Sequence, residues 1–428
     1  MTWVVFVLLF ICISGGVPIF ISLGIVSFVV FALFSHIPLE ILSQRMFAGV
    51  EGFALLAIPF FILAAGIMGK GGITKRLIQL ANTLVGHLPG GLAICTVLTS
   101  LFFGAITGSS ASAVLAIGGV MYPALVRDGY SERFAIGVVS CSALLGMIVP
   151  PSNAMIIYGS VSKVSVGALF VSGFGAGVLF AGTYMVYCYV YGRRTGMPLK
   201  PKASWAERWQ ATKGASVGLG VPFIILGGIY SGVFTPTESA AVAVGYALFV
   251  ALFITREMNF KDLWEICLSS GRITARILIM VSAATLFSWL LTMQGITQAI
   301  VKPITEMNLP AWAILAFANL IMLVSGMFID VFSNILIVCQ LMLPLINSAG
   351  ISELHYGIVT AVNSDMGNIT PPFGLIIFLA AGAFNKSYFM VVRAFLPWLA
   401  LALFSLFLIT YIPAISLFLP KLLYPGIN

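Results

Sequence analysis

Four short polar stretches interrupt long apolar runs, and their residue types define the chemistry available to the chain. The first pair is Thr107-Gly108-Ser109-Ser110-Ala111-Ser112 and Ser325-Gly326-Met327-Phe328-Ile329-Asp330, the latter continuing to Ser333-Asn334. The second pair is Gly146-Met147-Ile148-Val149-Pro150-Pro151-Ser152-Asn153 and Asn363-Ser364-Asp365-Met366-Gly367-Asn368-Ile369-Thr370-Pro371-Pro372. Consecutive prolines remove two backbone donors and leave upstream carbonyls without helical partners. A single proline would mark a kink; a proline pair preceded by glycine, with Asn, Ser or Thr alongside, reads as unwound chain. Carbonyl, hydroxyl and amide oxygens suit a hard monovalent cation, so two equivalent breaks predict two cation sites. Helix N-termini at the first pair offer partial positive charge to an anionic group. Ser110, Asn153, Asn334 and Asn368 are the candidate side chains for a cavity between them.

An acid inside apolar sequence is a functional flag, which singles out Asp330 and Asp365. Asp365 either holds a cation directly or orients a neighbour. Reading Ser-Ser-Ala-Ser as a small-residue packing face for helices is the plain alternative, and it does not accommodate Asp330.

The elements that position these residues must be membrane helices. Only 8% of the 428 residues are charged, against roughly 25% in soluble domains, and 60% are hydrophobic, with a mean hydropathy of +1.10. So little charge cannot cover a soluble surface of this size, which excludes soluble enzymes, nucleic-acid modules and disordered scaffolds. The pI near 9.2 reports topology instead, because Lys and Arg concentrate on the cytoplasmic side. Loops at 193–213 and 256–276 carry ten of these residues, and tracing spans outward from them puts 17 of the 21 on one side. Only Arg45, Lys163, Lys302 and Lys421 fall on the other.

The stretches 88–105 and 113–126 are short for full crossings of about 20 residues, so 88–126 reads as a re-entrant hairpin with its tip near mid-membrane. Bare helix ends at such a tip persist only where they line a cavity or hold a ligand. Residues 73–84 read as an amphipathic helix along the cytoplasmic interface. Glu238 reads as a helix cap, Arg45 as a snorkelling side chain, and Trp205 and Trp209 as interfacial anchors. The six cysteines, without CxxC pairing, read as small hydrophobes. His36, His87 and His355 lie too far apart to suggest a metal site. The start lacks a basic region and is expected to stay as a membrane segment.

At a constant separation of 221 residues Pro89 meets Pro310, Pro123 meets Pro344, Gly146 meets Gly367, and Pro150-Pro151 meets Pro371-Pro372. The traced topology starts one half outside and the other inside. The fold expected is therefore an all-α polytopic membrane protein of two inverted repeats, each with a re-entrant helical hairpin and a broken transmembrane helix, an arrangement typical of secondary transporters. The divisions are 1–70, N-terminal scaffold helices; 71–192, repeat one, with hairpin 88–126 and broken helix 134–158; and 193–213, a cytoplasmic basic loop. There follow 214–292, scaffold helices; 293–418, repeat two, with hairpin 308–350 and broken helix 356–382; and the tail, 419–428.

The motifs LLAIPFFILAAGIM (55–68), GAITGSSASAVLAIGGVMYP (104–123), MIVPPSN (147–153), GVFTPTESAAVAV (232–244) and MGNITPPFG (366–374) span nearly the whole chain. In them the sequence resembles the large membrane subunit of tripartite ATP-independent periplasmic (TRAP) transporters of bacterial inner membranes. That resemblance implies a sodium-driven symporter of the ion-transporter-superfamily elevator kind, with no cofactor besides the coupling ion. It places a first sodium site on Gly108, Ser109, Ser110, Ser112, Gly146, Val149 and Pro150. A second falls on Gly326, Asp330, Asp365, Gly367, Thr370 and Pro371, with backbone carbonyls prominent in both. It also implies a separate small four-helix membrane subunit and a periplasmic binding protein that delivers an organic acid, such as a C4-dicarboxylate or sialic acid. The alternatives are an intramembrane hydrolase using Asp330 and Asp365, for which no HExxH motif or nucleophile elbow is present, and a passive channel with a carbonyl filter.

Overall fold

Apolar runs become helices here, and each ends where the sequence supplies a cap, a glycine or a proline. The computed structural model describes residues 2–424 except His36, Gly71, Pro198 and Asn308. Gly71 and Asn308, which open repeat one and the second hairpin in the sequence reading, lie outside the described residues, as do His36 and the last four residues of the tail.

In chain order the helices begin with α1 (Thr2–Ser14), α2 (Ile19–Phe34), α3 (Leu39–Ala48), α4 (Ala57–Lys70, after a 3-10 turn at Phe53–Leu56) and α5 (Ile73–Val85). Then come α6 (Gly91–Thr107), α7 (Ser110–Arg127), α8 (Glu132–Ser142), the single turn α9 (Leu145–Ile148) and α10 (Asn153–Ser162). Four long helices follow: α11 (Val166–Arg194), α12 (Trp205–Tyr230), α13 (Pro236–Phe249, continued by a π segment, Val250–Ile254) and α14 (Phe260–Met293). The series closes with α15 (Ile296–Glu306), α16 (Ala311–Gly326), α17 (Val331–Ser348), α18 (Glu353–Gly367), α19 (Leu375–Phe384), α20 (Tyr388–Tyr411) and α21 (Ala414–Leu423). Among the described residues there is no strand, and nine helical segments are long and apolar enough to cross a membrane.

Capping chemistry shifts two boundaries read from the sequence. The stretch 256–276 is helical from Phe260, because Asn259 and Asp262 form a capping box: the Asn259 N–H donates to Asp262 Oδ2 (3.1 Å), and the Asp262 N–H donates to Asn259 Oδ1 (2.9 Å). At 1.5 Å per residue the 34 residues of α14 span about 51 Å, well beyond a hydrocarbon core of about 30 Å. Similarly, 193–213 is loop only between Arg194 and Trp205, since a Ser204–Glu207 capping box starts α12 early. Glu238 closes a capping box with Thr235 at the start of α13, satisfying backbone donors that lipid would leave bare.

Helix α5 is amphipathic: Ile73, Leu77, Leu80 and Ala81 are buried while Lys75, Gln79 and Asn82 face outward. Its Arg76 pairs with Glu257 in the turn before α14 at 3.0 Å, and Lys70, at the end of α4, pairs with Asp262 in the first turn of α14 at 2.6 Å. Arg45 lies 5.0 Å from the centroid of the Trp289 ring, a cation–π contact. Helices α2, α3 and α4 pack on α14, and α4 also on α13.

The remaining elements interlock crosswise. The first arm of each hairpin packs on the first half of a broken helix from its own half of the chain, α6 on α8–α9 and α16 on α18. The second arms reach across, α7 onto α19 and α17 onto α10. Lys386, after α19, meets Glu132 at the start of α8 at 2.8 Å, and the Glu132 carboxylate holds this ammonium above the usual lysine value. The two sets of broken elements thereby form one packed body.

Candidate functional site

Each broken helix is interrupted where the prolines require it. Pro150 and Pro151 have no N–H, so the carbonyls of Gly146 and Met147 lose their helical donors. The Ser152 hydroxyl donates to Met147 O in compensation, and Val149 is extended with φ −88° and ψ 134°. In the second break Pro371 and Pro372 deprive Gly367 O and Asn368 O in the same way. Here the Thr370 N–H reaches Gly367 O (3.1 Å) and the Ile376 N–H reaches Asn368 O (3.0 Å). Both Pro-Pro bonds are cis.

The hairpin tips sit directly on these breaks, and glycine makes the approach possible. A Cβ on Gly146 would lie 2.8 Å from Ser109 O, and one on Gly367 only 2.6 Å from Gly326 O. Those distances permit no side chain, so backbone meets backbone at both places. Gly108 turns the first tip with φ +58°, and Asn153 Nδ2 donates to its carbonyl at 3.2 Å.

The polar side chains divide into three roles. Ser109 and Asp330 cap the helices that follow them: Ser109 Oγ accepts from Ser112 N–H and Oγ, and Asp330 Oδ1 accepts from Phe332 N–H (3.0 Å) and Ser333 N–H (3.1 Å). Asn334 takes the Ser325 hydroxyl on Oδ1 (2.6 Å) and gives Nδ2 to Met322 O (2.9 Å) within the second tip and to Ser364 Oγ (3.4 Å) on α18, while Thr370 Oγ1 donates to Met366 O (2.8 Å). Asp365 joins the two halves. Fully buried, its carboxylate accepts from Ser110 Oγ at 2.6 Å and from Asn368 Nδ2 at 3.1 Å. Ser110 and Asp365, assigned from the sequence to different cation sites, are thus bonded to each other. Asp330 and Asp365 share no hydrogen bond among the described residues, each carboxylate being engaged elsewhere.

Several buried oxygens have no protein partner: Thr107 Oγ1 at the first tip, Ser140 Oγ on α8, Asn153 Oδ1 and Asn363 Oδ1. A buried unmet acceptor is costly, and a desolvated cation would satisfy it. The donor set of carbonyl, hydroxyl, amide and carboxylate oxygens without sulfur or imidazole fits a hard alkali cation rather than a transition metal. Thr107, Ser140 and Asn363 were not among the sites read from the sequence. Thr107 and Asn363 are the opening residues of two of the polar stretches, whereas Ser140 sits in an apolar run on α8. Asn363 Nδ2 donates to Asn319 Oδ1 (2.8 Å) on α16, and Asn319 Nδ2 to Thr410 Oγ1 (2.9 Å), extending the polar network to α20.

Comparison with known proteins shows the family. Residues 6–415 match the family described as "Tripartite ATP-independent periplasmic transporter, DctM component". The chain is 40% identical over 400 residues to the C4-dicarboxylate TRAP transporter large permease protein of Pseudomonas aeruginosa, covering 94% of each. It is 35% identical over 411 residues to the ectoine TRAP transporter large permease protein of Halomonas elongata, covering 96% of each. Among solved structures, the YdaH transporter of Alcanivorax borkumensis shares the fold, with a TM-score of 0.61 at 14% identity over 95% of this chain and 97% of that one. The chain belongs to the DctM family and is a multi-pass inner-membrane large permease component of a tripartite ATP-independent periplasmic transporter.

Proposed function

We propose that this permease couples sodium binding at its two tip–break contacts to uptake of an organic acid by elevator-type alternating access. The observation that carries the reading is the pair of backbone contacts, Gly146 on the Ser109 tip and Gly367 on Gly326, with the unpartnered buried oxygens of Thr107 and Asn153 at the first tip and that of Asn363 one helical turn before Gly367. A cation bound at such a contact draws tip and break together and fixes the cavity between them. The N-termini of α7 and α17 then favour a carboxylate, with Asn153 and Asn368 beside them. Each coupled positive charge moved across 100 mV contributes about 2.3 kcal/mol to accumulation.

The relatives named for C4-dicarboxylates and for ectoine support a small carboxylate-bearing solute as substrate. A small four-helix membrane subunit and a periplasmic binding protein complete the complex in this reading. The hydrolase alternative has no support, since the relatives are permeases and the two acids are separately engaged. The test is uptake by the reconstituted complex with sodium replaced by potassium. Uptake is expected to collapse, and uptake unchanged in potassium would overturn sodium coupling.

A further inference from the structure

The second tip and the second break carry an aromatic pair that neither capping nor core packing accounts for. Phe328 lies in the turn between α16 and α17, two residues before the cap Asp330, and Phe373 lies between Pro372 and the start of α19. Their ring centroids are 5.7 Å apart, with an interplanar angle of 45°, so the pair joins tip to break beside the contact of Gly326 with Gly367. Much of each residue still faces open space: Phe328 is 54% exposed and Phe373 57%.

Exposed phenyl rings on a regular membrane helix face lipid as a matter of course. These two belong instead to the irregular backbone of the tip and the break. Such backbone is tolerated at membrane depth only where it is buried in protein or lines a cavity, so the open side of the pair is a cavity rather than hydrocarbon. The repeat supplies an internal control. At the separation of 221 residues that pairs the caps Ser109 and Asp330, Phe328 meets Thr107 and Phe373 meets Ser152. Thr107 and Ser152 are both buried, so at these positions the first tip and break close without an exposed ring.

Polar groups border the same space. Ser110 and Asn368 Nδ2 both donate to the Asp365 carboxylate, and the Ile376 N–H donates to Asn368 O, which ties the start of α19 to the N-terminus of α7. Ser112, in the first turn of α7, is exposed. Phe373 therefore stands near the N-terminus of α7, and Phe328 comes three residues before the first residue of α17. Two helix N-termini that favour a carboxylate thus lie beside an apolar wall.

We propose, resting on the organic-acid reading above, that Phe328 and Phe373 are specificity-determining residues that pack on the carbon skeleton of the bound acid. A hydroxyl pressed against phenyl carbon gives up its hydrogen bonds to water and finds no partner, whereas a bare methylene chain gains from the same contact. The substrate class that fits is a carboxylic acid with an unsubstituted skeleton, and polyhydroxylated sugar acids are rejected.

The experiment measures binding to the purified full-length chain in sodium, read as the shift in thermal unfolding across a concentration series. Two matched pairs of acids are compared, succinate with tartrate and hexanoate with gluconate; within each pair chain length and charge are shared and only the hydroxyl groups differ. The unsubstituted chain is expected to bind the hydroxyl-free acid about tenfold or more tightly in at least one pair. Phe328→Ala and Phe373→Ala should each shrink that preference to about threefold or less. Phe328→Tyr, which keeps the ring and adds a hydroxyl, should shrink it as well. Phe404→Ala, which removes an exposed ring from the regular helix α20, should leave it unchanged. Equal or reversed affinity within both pairs, or a preference unaltered in all three tip and break variants, would overturn the proposal and leave the organic-acid reading standing. No saturable shift with any of the four acids would overturn that reading, and the proposal with it.

Discussion

The Ser110–Asp365 hydrogen bond is the smallest unit on which coupling between the two halves rests. A carboxylate buried to this degree, with only a serine hydroxyl and an asparagine amide as partners, is under-compensated, and a nearby cation relieves it. Asp365→Asn is expected to lower sodium affinity roughly tenfold, the scale of one hydrogen bond to a charged group, as read from the sodium dependence of uptake. Asp330→Ala should behave differently. Its carboxylate caps α17, so the variant should lose about 1 kcal/mol of stability, seen in thermal unfolding, with a smaller effect on sodium affinity. Both acids were visible in the sequence as charges inside apolar stretches. Their different roles were not, because Ser110 and Asp365 are 255 positions apart and no local pattern predicts their contact. Asp330 was the more legible, as an acid immediately before an apolar helix.

At the scale of elements, the breaks and tips are held by glycines that let main chains touch. Gly146→Ala and Gly367→Ala should each cost roughly 1–3 kcal/mol or displace the tip, and both should depress sodium-dependent uptake. Gly182, on α11, has open space where a Cβ would stand, with no atom within 4 Å, so Gly182→Ala should leave stability unchanged or raise it by about 0.4–1 kcal/mol. A thermal-unfolding comparison of the three variants separates close approach from general helix propensity. The breaks were legible because proline pairs and glycines are local signals acting through the backbone. Helix starts were less so: the Asn259–Asp262 capping box was hidden within a run of charged residues that read as loop. The π segment at Val250–Ile254 carries no proline, glycine or polar residue to announce it.

For the molecule as a whole, the proposed elevator movement would require joints between the hairpin-bearing body and the surrounding helices. Each amphipathic helix begins after a left-handed glycine, Gly72 before α5 (φ +67°) and Gly295 before α15 (φ +65°). A side chain at Gly295 meets no atom within 4 Å, so Gly295→Ala probes backbone conformation alone, at about 1–2 kcal/mol of strain. It is expected to slow uptake several-fold while sodium binding persists, and equal loss of both would assign Gly295 to the binding site instead. The membrane location, helix content and two-part repetition could be read from composition and proline spacing. The crosswise packing of α7 on α19 and α10 on α17 could not, because it depends on how the halves are oriented in space.

The most direct measurement is equilibrium binding of radioactive sodium to the purified full-length chain, with and without a Gly146→Ala/Gly367→Ala double substitution. Saturable binding at two sites, undisturbed by equimolar potassium and lost in the double variant, is expected. No saturable binding, or binding unaltered when both tip–break contacts are spoiled, would contradict the placement of the cations at these contacts.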